Sequence, residues 1–379
     1  MRLSFLGVVM LLAGCSTLPS VTPADEAWLL GGITLPGPAA EVTEATVPPE
    51  DHLLAITPEM QRFAEEAVAG ASTPRGKVRA LLEAIIDPAR LGLRFAEDAT
   101  YGAAEVFERR RADCLSFTAL FVALSRHVGL DAKFNEVDVP PVWDLSDSGT
   151  LIRYRHMNAL IRLGPEHWQV VDILPEDYDS SFPQRPVSDR EALAQYYNNL
   201  AVQFLLQDRL REAQQHLVRA IELAPRTSHL WGNLGSTYRR AGEAHAAKLA
   251  YVKAMRLDPE DETAIKNAAR ALAADGDTRL ARALAHRMTQ VQRRNPYDRY
   301  REGLEALAEG RYESALRHAR AAIRLYAREH RFHYLLGLVH ERLGNTEAAR
   351  ESFERAIELA SGERAQRYQR RLETLLSAN

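Results

Sequence analysis

A period of 34 residues runs through the second half of the chain and limits its fold more than any other feature. Counted from Ala194, the twentieth place of every period is alanine: Ala213, Ala247, Ala281, Ala315 and Ala349. The eighth place is always small: Ala201, Gly235, Ala269, Gly303 and Gly337. A period of this length with small residues at fixed places is typical of helix pairs that stack on their neighbours. The pattern therefore predicts an all-α array of closely packed helices.

The turn between the two helices of each pair carries its own signal. Four of the five periods have glycine there, and the first has Asp208: Gly242, Gly276, Gly310 and Gly344. With these turns the pattern resembles the tetratricopeptide repeat, most closely in the period that starts at Ser228. The resemblance implies five repeats over residues 186–363, with starts at Ala194, Ser228, Glu262, Pro296 and His330. The third and fourth repeats are degenerate, and residues 364–379 are predicted to form an amphipathic capping helix.

Asparagine occupies the sixth place of the first three repeats, at Asn199, Asn233 and Asn267. The resemblance implies that the first helix of each repeat lines a concave, peptide-binding side. A side-chain amide offers both a donor and an acceptor, which suits an extended peptide backbone. These three residues are therefore candidate peptide-binding residues. The alternative, polar residues on a solvated helix surface, stays open.

The first residues predict export. Arg2 is followed by a short apolar run and then by small residues, which is the pattern of a signal peptide over residues 1–14. The end of this run, Leu12 to Cys15, resembles the bacterial lipobox, which implies lipidation of Cys15. Ser16 after the cysteine suggests the periplasmic face of the outer membrane. The alternative is an ordinary cleaved signal that happens to contain a cysteine. Residues 15–52 are rich in proline, so we expect a lipidated tether that holds the folded part off the membrane.

Composition excludes one class of function. The chain is 46% hydrophobic and 26% charged, as expected of globular protein. Residues 1–185 contain 16 Lys and Arg against 26 Asp and Glu, whereas residues 186–379 contain 32 against 25. Because acids are interleaved with the arginines of the second half, a nucleic-acid-binding surface is not expected.

Cys114 lies at a predicted helix start. Asp113 before it is a good N-cap residue, and apolar residues then recur at three- and four-residue steps as far as Val128. A helix N-terminus lowers the pKa of a thiol. If Cys15 is lipidated, Cys114 has no intramolecular disulfide partner, since the chain has two cysteines. The position favours a reactive thiol over the alternative, an inert buried cysteine.

Strand-like segments downstream supply the other groups that a nucleophilic thiol needs. The sequence predicts helices over 58–69 and 75–86, and strands over 132–137, 156–162 and 168–172. The strands carry His156 and Asp172. In nucleophilic acyl chemistry a histidine takes the proton of the nucleophile and an acid orients the histidine.

In this order, the segments around Cys114, His156 and Asp172 resemble the transglutaminase-like (papain-related) superfamily, with Trp168 and Pro175 at accessory places. The resemblance implies an α+β transglutaminase-like domain over residues 53–185, followed by the all-α tetratricopeptide superhelix, with a packed junction between them. It also implies a catalytic triad of Cys114, His156 and Asp172.

Two functions remain open at this point. The first is a membrane-anchored hydrolase or acyltransferase, acting as a protease or amide hydrolase through a thioester, whose repeats recruit a protein or peptide. The second is a non-catalytic envelope scaffold. No cofactor is expected, and no histidine spacing resembles a metal site.

Overall fold

The computed structural model describes residues 20–35, 47–137, 156–173, 183–360 and 362–377. The chain forms two compact units, and in the repeats the boundary falls after Ala285. The first unit holds the α+β domain and the first repeats, and the second holds the last repeats. None of the helices in the described ranges combines the length and apolar character needed to cross a bilayer.

The helices of the α+β domain begin where their capping residues predict. Thr57 and Thr73 each accept a backbone N–H of the first turn, and each is followed by proline, whose fixed φ suits that position. The predicted helices over 58–69 and 75–86 are confirmed within a residue at each end. The helices here are α2 (Pro58–Val68), α3 (Pro74–Ile86), α4 (Ala103–Arg109) and α5 (Cys114–His127).

Helix α5 lies at the centre of the hydrophobic core of this domain. Phe117, Leu120, Phe121 and Leu124 are fully buried, as predicted for its apolar face. The expectation of a single buried face is wrong, however, because every residue from Leu115 to Ser125 is buried. Small polar residues such as Ser116 and Thr118 occupy the remaining sides, where they form hydrogen bonds with the surrounding chain.

Two sheets accompany these helices. A short parallel pair joins β1 (Arg94–Phe95) to β2 (Arg111–Ala112) directly before α5. The larger sheet is antiparallel in the order β5–β4–β3–β6, so its two central strands are the ones that carry Asn135 and His156. Its strands are β3 (Ala132–Val137), β4 (His156–Arg162), β5 (Trp168–Val171) and β6 (Gln184–Val187). The predicted bounds of β3 and β4 are confirmed, and β5 ends one residue early.

The repeat helices confirm the period. The first helices of repeats two to five begin at the predicted residues, whereas repeat one begins earlier, because Ser188 and Glu191 form a capping box there. The ten helices are α6 (Asp189–Leu206), α7 (Leu210–Leu223), α8 (Ser228–Arg240), α9 (Ala244–Leu257), α10 (Glu262–Ala274), α11 (Thr278–Arg294), α12 (Pro296–Ala308), α13 (Tyr312–Leu325), α14 (His330–Arg342) and α15 (Thr346–Leu359).

Glycine is needed at two kinds of place in this array. The four turn glycines have φ between 75° and 86°, the left-handed region, and Asp208 adopts φ 59° in the first repeat. At the eighth place a Cβ on Gly235 would lie 2.7 Å from the Tyr251 ring, and one on Gly337 would lie 2.5 Å from Phe353. The small residues at that place therefore let the two helices of a repeat approach closely, as predicted.

Residues 20–35, which we call the N-terminal strap, correct the expectation of an extended tether. The strap contains the short helix α1 (Pro23–Ala27) and lies against repeats one and two. Tyr238 donates to the Leu29 carbonyl, and Gln214 Nε2 donates to the Ile33 carbonyl at 2.7 Å. Leu29 and Leu35 are fully buried. The proline content suggested a tether, but the burial of these leucines offsets the entropy lost on ordering.

A second part of the predicted tether, residues 47–54, packs at the junction of the α+β domain and repeat one. The Pro48 carbonyl accepts the Tyr197 hydroxyl at 2.6 Å, and Leu53 is 2% exposed. On the other side of the same junction, the Arg126 guanidinium donates to both oxygens of Asp189 at 2.6 and 2.8 Å. The predicted packed junction is therefore confirmed.

The degenerate third repeat coincides with the boundary between the units. Within α11, Leu284 is the one buried residue among the described positions, and the boundary follows it directly. The second unit has its own core, in which Ala315 and Ala319 pack with Leu335 and Val339. Its last helix, α16 (Gly362–Ser377), buries Leu372 and Leu375 against the final repeat, as expected of a capping helix.

Candidate active site

Cys114 is the first residue of α5, as the sequence predicted. Asp113 has an extended backbone, and its Oδ1 accepts the Ser116 N–H at 2.7 Å, which caps the helix. The thiol is half-buried, and within the described part of the chain it forms no disulfide. A thiol at this position lies in the positive field of the helix N-terminus, which stabilises a thiolate.

His156 and Asp172 meet through the pairing of two strands. His156 opens β4, Asp172 directly follows β5, and these strands are antiparallel neighbours. The His156 Nε2 lies 2.5 Å from Asp172 Oδ2, and the two side chains are 13% and 3% exposed. Since Nε2 is held by the carboxylate, Nδ1 is the ring nitrogen left to exchange a proton. The structure thus joins two of the three predicted triad residues directly.

Thr118 connects the cysteine helix to the strand that bears the histidine. Its hydroxyl, one turn after Cys114, lies 2.7 Å from the Cys114 carbonyl and 3.1 Å from the Met157 carbonyl. Met157 follows His156 directly in β4. The first turn of α5 therefore packs beside the beginning of β4, which brings the elements of the thiol and the imidazole to the same place.

A row of side-chain amides, of which Asn135 and Asn158 are buried, supports Asp172. Asn158 Nδ2 donates to Asp172 Oδ2 at 3.1 Å, and Asn135 Nδ2 donates to Asn158 Oδ1 at 2.9 Å. Asn135 also donates to Gln184 Oε1 at 3.0 Å. The row fixes the carboxylate that orients His156. Neither Asn135 nor Gln184 was a predicted site residue, and because β3 also carries Lys133 and Glu136, Asn135 is not a distinctive polar residue there.

The N-cap carboxylate has neutral partners. Asp113 is 8% exposed, and the Thr100 hydroxyl donates to its Oδ2 at 2.6 Å. Burial raises the pKa of Asp113, and the hydrogen bonds from Thr100, Ser116 and Asn199 act in the opposite direction. Thr100 in turn accepts a hydrogen bond at 3.0 Å from Gln203 in the first repeat. Because Gln203 lies about 100 residues further along the chain, no local sequence pattern indicates this contact.

Trp168, one of the two accessory residues of the predicted motifs, lies on the surface of the sheet. Trp168 is 37% exposed, with Lys133 at 5.1 Å and Arg162 at 5.4 Å from its ring, a cation–π arrangement on the edge strand. Pro175 and Cys15 lie outside the described residues. His127 lies at the far end of α5 and contacts Glu65 at 2.9 Å, well away from the cysteine end.

The three asparagines of the predicted peptide-binding row do not share one environment. Asn199 accepts from Gln195 at 2.8 Å, and it acts to lower the pKa of Asp113 in the α+β domain. Asn233 donates to Asn198 at 2.7 Å. Asn233 and Asn267 line one recess, with His229, Ser236 and Thr263 around it. In the described ranges, no three His, Cys, Asp or Glu side chains are grouped to hold a metal ion.

Comparisons with known families agree with this architecture. The family profile described as the transglutaminase-like superfamily matches residues 61–173, and tetratricopeptide repeat profiles match residues 228–261 and 300–364. The chain joins a transglutaminase-like domain to tetratricopeptide repeats. The predicted fold class is therefore confirmed, and the repeats support interaction with other proteins.

Individual proteins are similar to parts of this chain. The tetratricopeptide repeat domain-containing protein PYG7, chloroplastic, of Arabidopsis thaliana is 32% identical over 76 residues, which are 20% of this chain and 25% of that protein. The chain thus spans a quarter of that relative's length. Among solved structures, MamA 41-end from Desulfovibrio magneticus RS-1 is 20% identical, with a TM-score of 0.26, over 45% of this chain and 96% of that one. TTC0263, a thermophilic protein from Thermus thermophilus, is 18% identical, with a TM-score of 0.26, over 48% and 98%.

Proposed function

We propose that this protein is a cell-envelope cysteine hydrolase or acyltransferase that acts on a protein or peptide through a thioester. The observation that carries the proposal is the buried pair of His156 and Asp172, supported by Asn158, beside the helix start that holds Cys114. A buried carboxylate that orients an imidazole next to a helix-start thiol is the arrangement that nucleophilic acyl transfer needs.

The residues divide the reaction between them. His156 Nδ1 removes the thiol proton, and the Cys114 sulfur forms a bond to the carbonyl carbon of an amide. The tetrahedral intermediate then breaks its carbon–nitrogen bond, and the leaving nitrogen takes the proton from the imidazolium. Asp172 stabilises the imidazolium meanwhile. Water attacks the resulting thioester in hydrolysis, with His156 taking its proton and the thiolate leaving; an amine in place of water gives acyl transfer.

The repeats recruit the substrate in this proposal. The recess lined by Asn233 and Asn267 presents amide and hydroxyl groups, and its one acidic residue, Asp261, is 5% exposed and bound to Ser228 and the Ala264 N–H. A recess with uncharged amides suits the backbone of an extended peptide more than a charged side chain. Asn199, the third predicted peptide-binding residue, does not line this recess and accepts from Gln195 at 2.8 Å.

Membrane anchoring through Cys15 is part of the proposal. Glu26 of the strap pairs with Lys253 of repeat two, and eleven peptide units separate Glu26 from Cys15. Eleven extended residues reach at most about 40 Å. The anchor would then hold the first repeats close to the outer-membrane surface. Replacing Cys15 with Ala should move the protein from the membrane fraction to the periplasmic fraction; retention on the membrane would contradict the anchor.

Thiol reactivity tests the enzyme proposal directly. The full chain is treated with iodoacetamide between pH 5.5 and 8.5, and alkylation of Cys114 is followed by mass spectrometry beside glutathione. We expect Cys114 to react faster than glutathione at pH 6, and His156→Ala to slow it about tenfold, since the imidazolium stabilises the thiolate. The matched control is His167→Ala, an exposed histidine in the turn before β5, which should react as the wild type does.

Two outcomes would reject the enzyme. Alkylation no faster than that of glutathione, with no response to His156→Ala, contradicts an activated thiol. In cells, a Cys114→Ala protein that fully replaces the wild type, while a protein without residues 194–363 does not, supports the scaffold instead.

A further inference from the structure

The transglutaminase-like match ends at residue 173, but the start of the cysteine helix is contacted from beyond that limit. Helix α6 of the first repeat passes beside the N-cap residue Asp113. From this helix, Gln203 Nε2 donates to the Thr100 hydroxyl at 3.0 Å and to the Asp98 carbonyl at 3.1 Å. Repeat one is therefore in polar contact with the loop that leads into the site.

The contact continues without a break to the helix start. Thr100 is 4% exposed, and its hydroxyl accepts from Gln203 and donates to Asp113 Oδ2 at 2.6 Å. The other oxygen of Asp113 accepts the Ser116 N–H at 2.7 Å. Because a hydroxyl has one hydrogen, the Gln203 donor helps to keep that hydrogen directed at Asp113. Three hydrogen bonds thus connect a repeat side chain to the first turn of α5.

A second side chain of the same helix acts on the same carboxylate. Asn199, one turn before Gln203, opposes the effect of burial on the pKa of Asp113 and so favours the charged form of that carboxylate. The partners of Asp113 that carry hydrogen bonds are all neutral groups: Thr100, Ser116 and Asn199. A buried carboxylate with neutral partners depends on such donors to remain a good acceptor, and hence a good helix cap.

The geometry points to Gln203 as a positioning residue for Cys114: through Thr100 and Asp113 it holds the first turn of α5, so the first repeat completes the site. This inference rests on the proposed function. Gln203 acts through two other residues and not on the reacting atoms themselves. It follows that the transglutaminase-like domain and repeat one form one functional unit, and that the repeats do more than bind a partner.

The test uses the full chain with substitutions at two glutamines: Gln203 within α6, and Gln207, which follows the last residue of that helix. Gln203→Met keeps the length of the side chain but removes its donors, and Gln207→Met is the matched control, since Gln207 is exposed one turn later. Iodoacetamide alkylation of Cys114 is measured against pH. We expect Gln203→Met to slow alkylation at pH 6 about fivefold and to move the pH profile upward, the size of effect that loss of a helix cap produces.

A double-mutant cycle shows whether Gln203 acts through Thr100. Thr100→Val should slow alkylation by a similar factor, and the double variant should be no slower than either single one, because both changes interrupt the same connection. Circular dichroism of each variant reports whether it is folded, and if Gln203→Met does not fold, Gln203→Leu and Thr100→Val take its place.

The outcomes separate this inference from the enzyme proposal. If wild-type Cys114 reacts no faster than glutathione, the proposed function fails. If the wild type is fast and a folded Gln203→Met protein keeps its rate and pH profile, the positioning role alone is overturned. An equal loss in Gln207→Met also overturns it, since a general loosening of the repeat would then explain the effect.

Discussion

Each unit of this protein caps a helix with a buried carboxylate, and the two carboxylates have opposite electrostatic surroundings. Asp113 caps the cysteine helix α5 in the first unit, and Glu329 caps α14 in the second. Asp113 is 8% exposed and Glu329 is fully buried. Asp113 has neutral partners, whereas Glu329 accepts from the Arg331 guanidinium at 2.8 and 2.9 Å.

The difference appears in the direction of the pKa shifts. Burial raises the pKa of Asp113, and its neutral donors do not reverse the effect. Burial acts in the same direction on Glu329, but Arg331 reverses it and holds the pKa of Glu329 below its usual value. A cap with a cation beside it is fixed in its charged state and serves stability. A cap with neutral donors depends on its neighbours, which include helix α6 of the first repeat.

The largest expected effect on stability comes from removing the Arg331 cation that pairs with Glu329. Arg331→Met leaves the Glu329 carboxylate buried without its counter-charge, which should cost about 3 kcal/mol of the stability of α14. Hydrogen exchange of the α14 amides measures this local stability. The control Arg355→Met removes an exposed pair with Glu358, formed at 2.6 Å, and should cost no more than about 0.5 kcal/mol. Equal costs for the two variants would show that the buried pair is not what fixes this helix.

A smaller loss of stability should follow from weakening the packing of the strap, which belongs to the first unit. Leu29→Ala removes a fully buried side chain that packs against the first two repeats, and should cost about 2 kcal/mol or somewhat more. Hydrogen exchange should increase in α7 to α9. Thr34→Ala, at an exposed position of the same strap, is the control. Unchanged exchange in Leu29→Ala would return residues 20–35 to the role of a tether.

The smallest expected effect is a difference in how the stabilities of Asp113→Asn and Glu329→Gln depend on pH. The folded pKa of Asp113 lies above its ordinary value of 3.8, so its stabilising contribution is present below that value and is lost as pH rises through the folded pKa. Asp113→Asn keeps a capping side chain. The stability of α5 in this variant, relative to the wild type, should therefore increase as pH rises from 4 toward neutrality. Hydrogen exchange of the α5 amides measures the difference.

Glu329 should show the opposite slope. Its folded pKa lies below the ordinary 4.5, so its contribution is present above 4.5 and is lost as pH falls through the folded value. Glu329→Gln should therefore be most destabilised, relative to the wild type, near neutral pH. The α14 amides provide the measurement. Slopes of the same sign in the two variants would contradict the comparison between the two caps.

The starts of repeats two to five could be predicted to the residue because their signals are local. The helix starts at Ser228, Glu262, Pro296 and His330 follow from a period that each repeat carries in its own sequence. Prediction was less successful where the chain meets distant parts of itself. The prolines of residues 15–52 predicted a tether, but the strap itself holds one proline, Pro23, and its fold depends on Tyr238 and Gln214, about 200 residues away in the chain.

The residues of the candidate site also fall into two groups, those predicted from the sequence and those that only the structure showed. Cys114, His156 and Asp172 were found from their motifs, and the contact between His156 and Asp172 agrees with the role assigned to them. The row of Asn135, Asn158 and Gln184 needed the strand register, in which Asn135 faces Asn158. The contact of Gln203 with Thr100 needed the packing of the first repeat against the domain.

By itself, then, the sequence determined the two fold classes, the helix start at Cys114 and the identity of the triad candidates. Caps, turns and periodic apolar positions act over a few residues and so predict the helices, and the triad candidates follow from the resemblance of their segments to the transglutaminase-like superfamily. Only the tertiary structure decided which polar groups surround those candidates, because that depends on strand order and domain packing. Whether a buried carboxylate meets an arginine, as Glu329 does, or a threonine held by a distant glutamine, as Asp113 does, is set by contacts between elements.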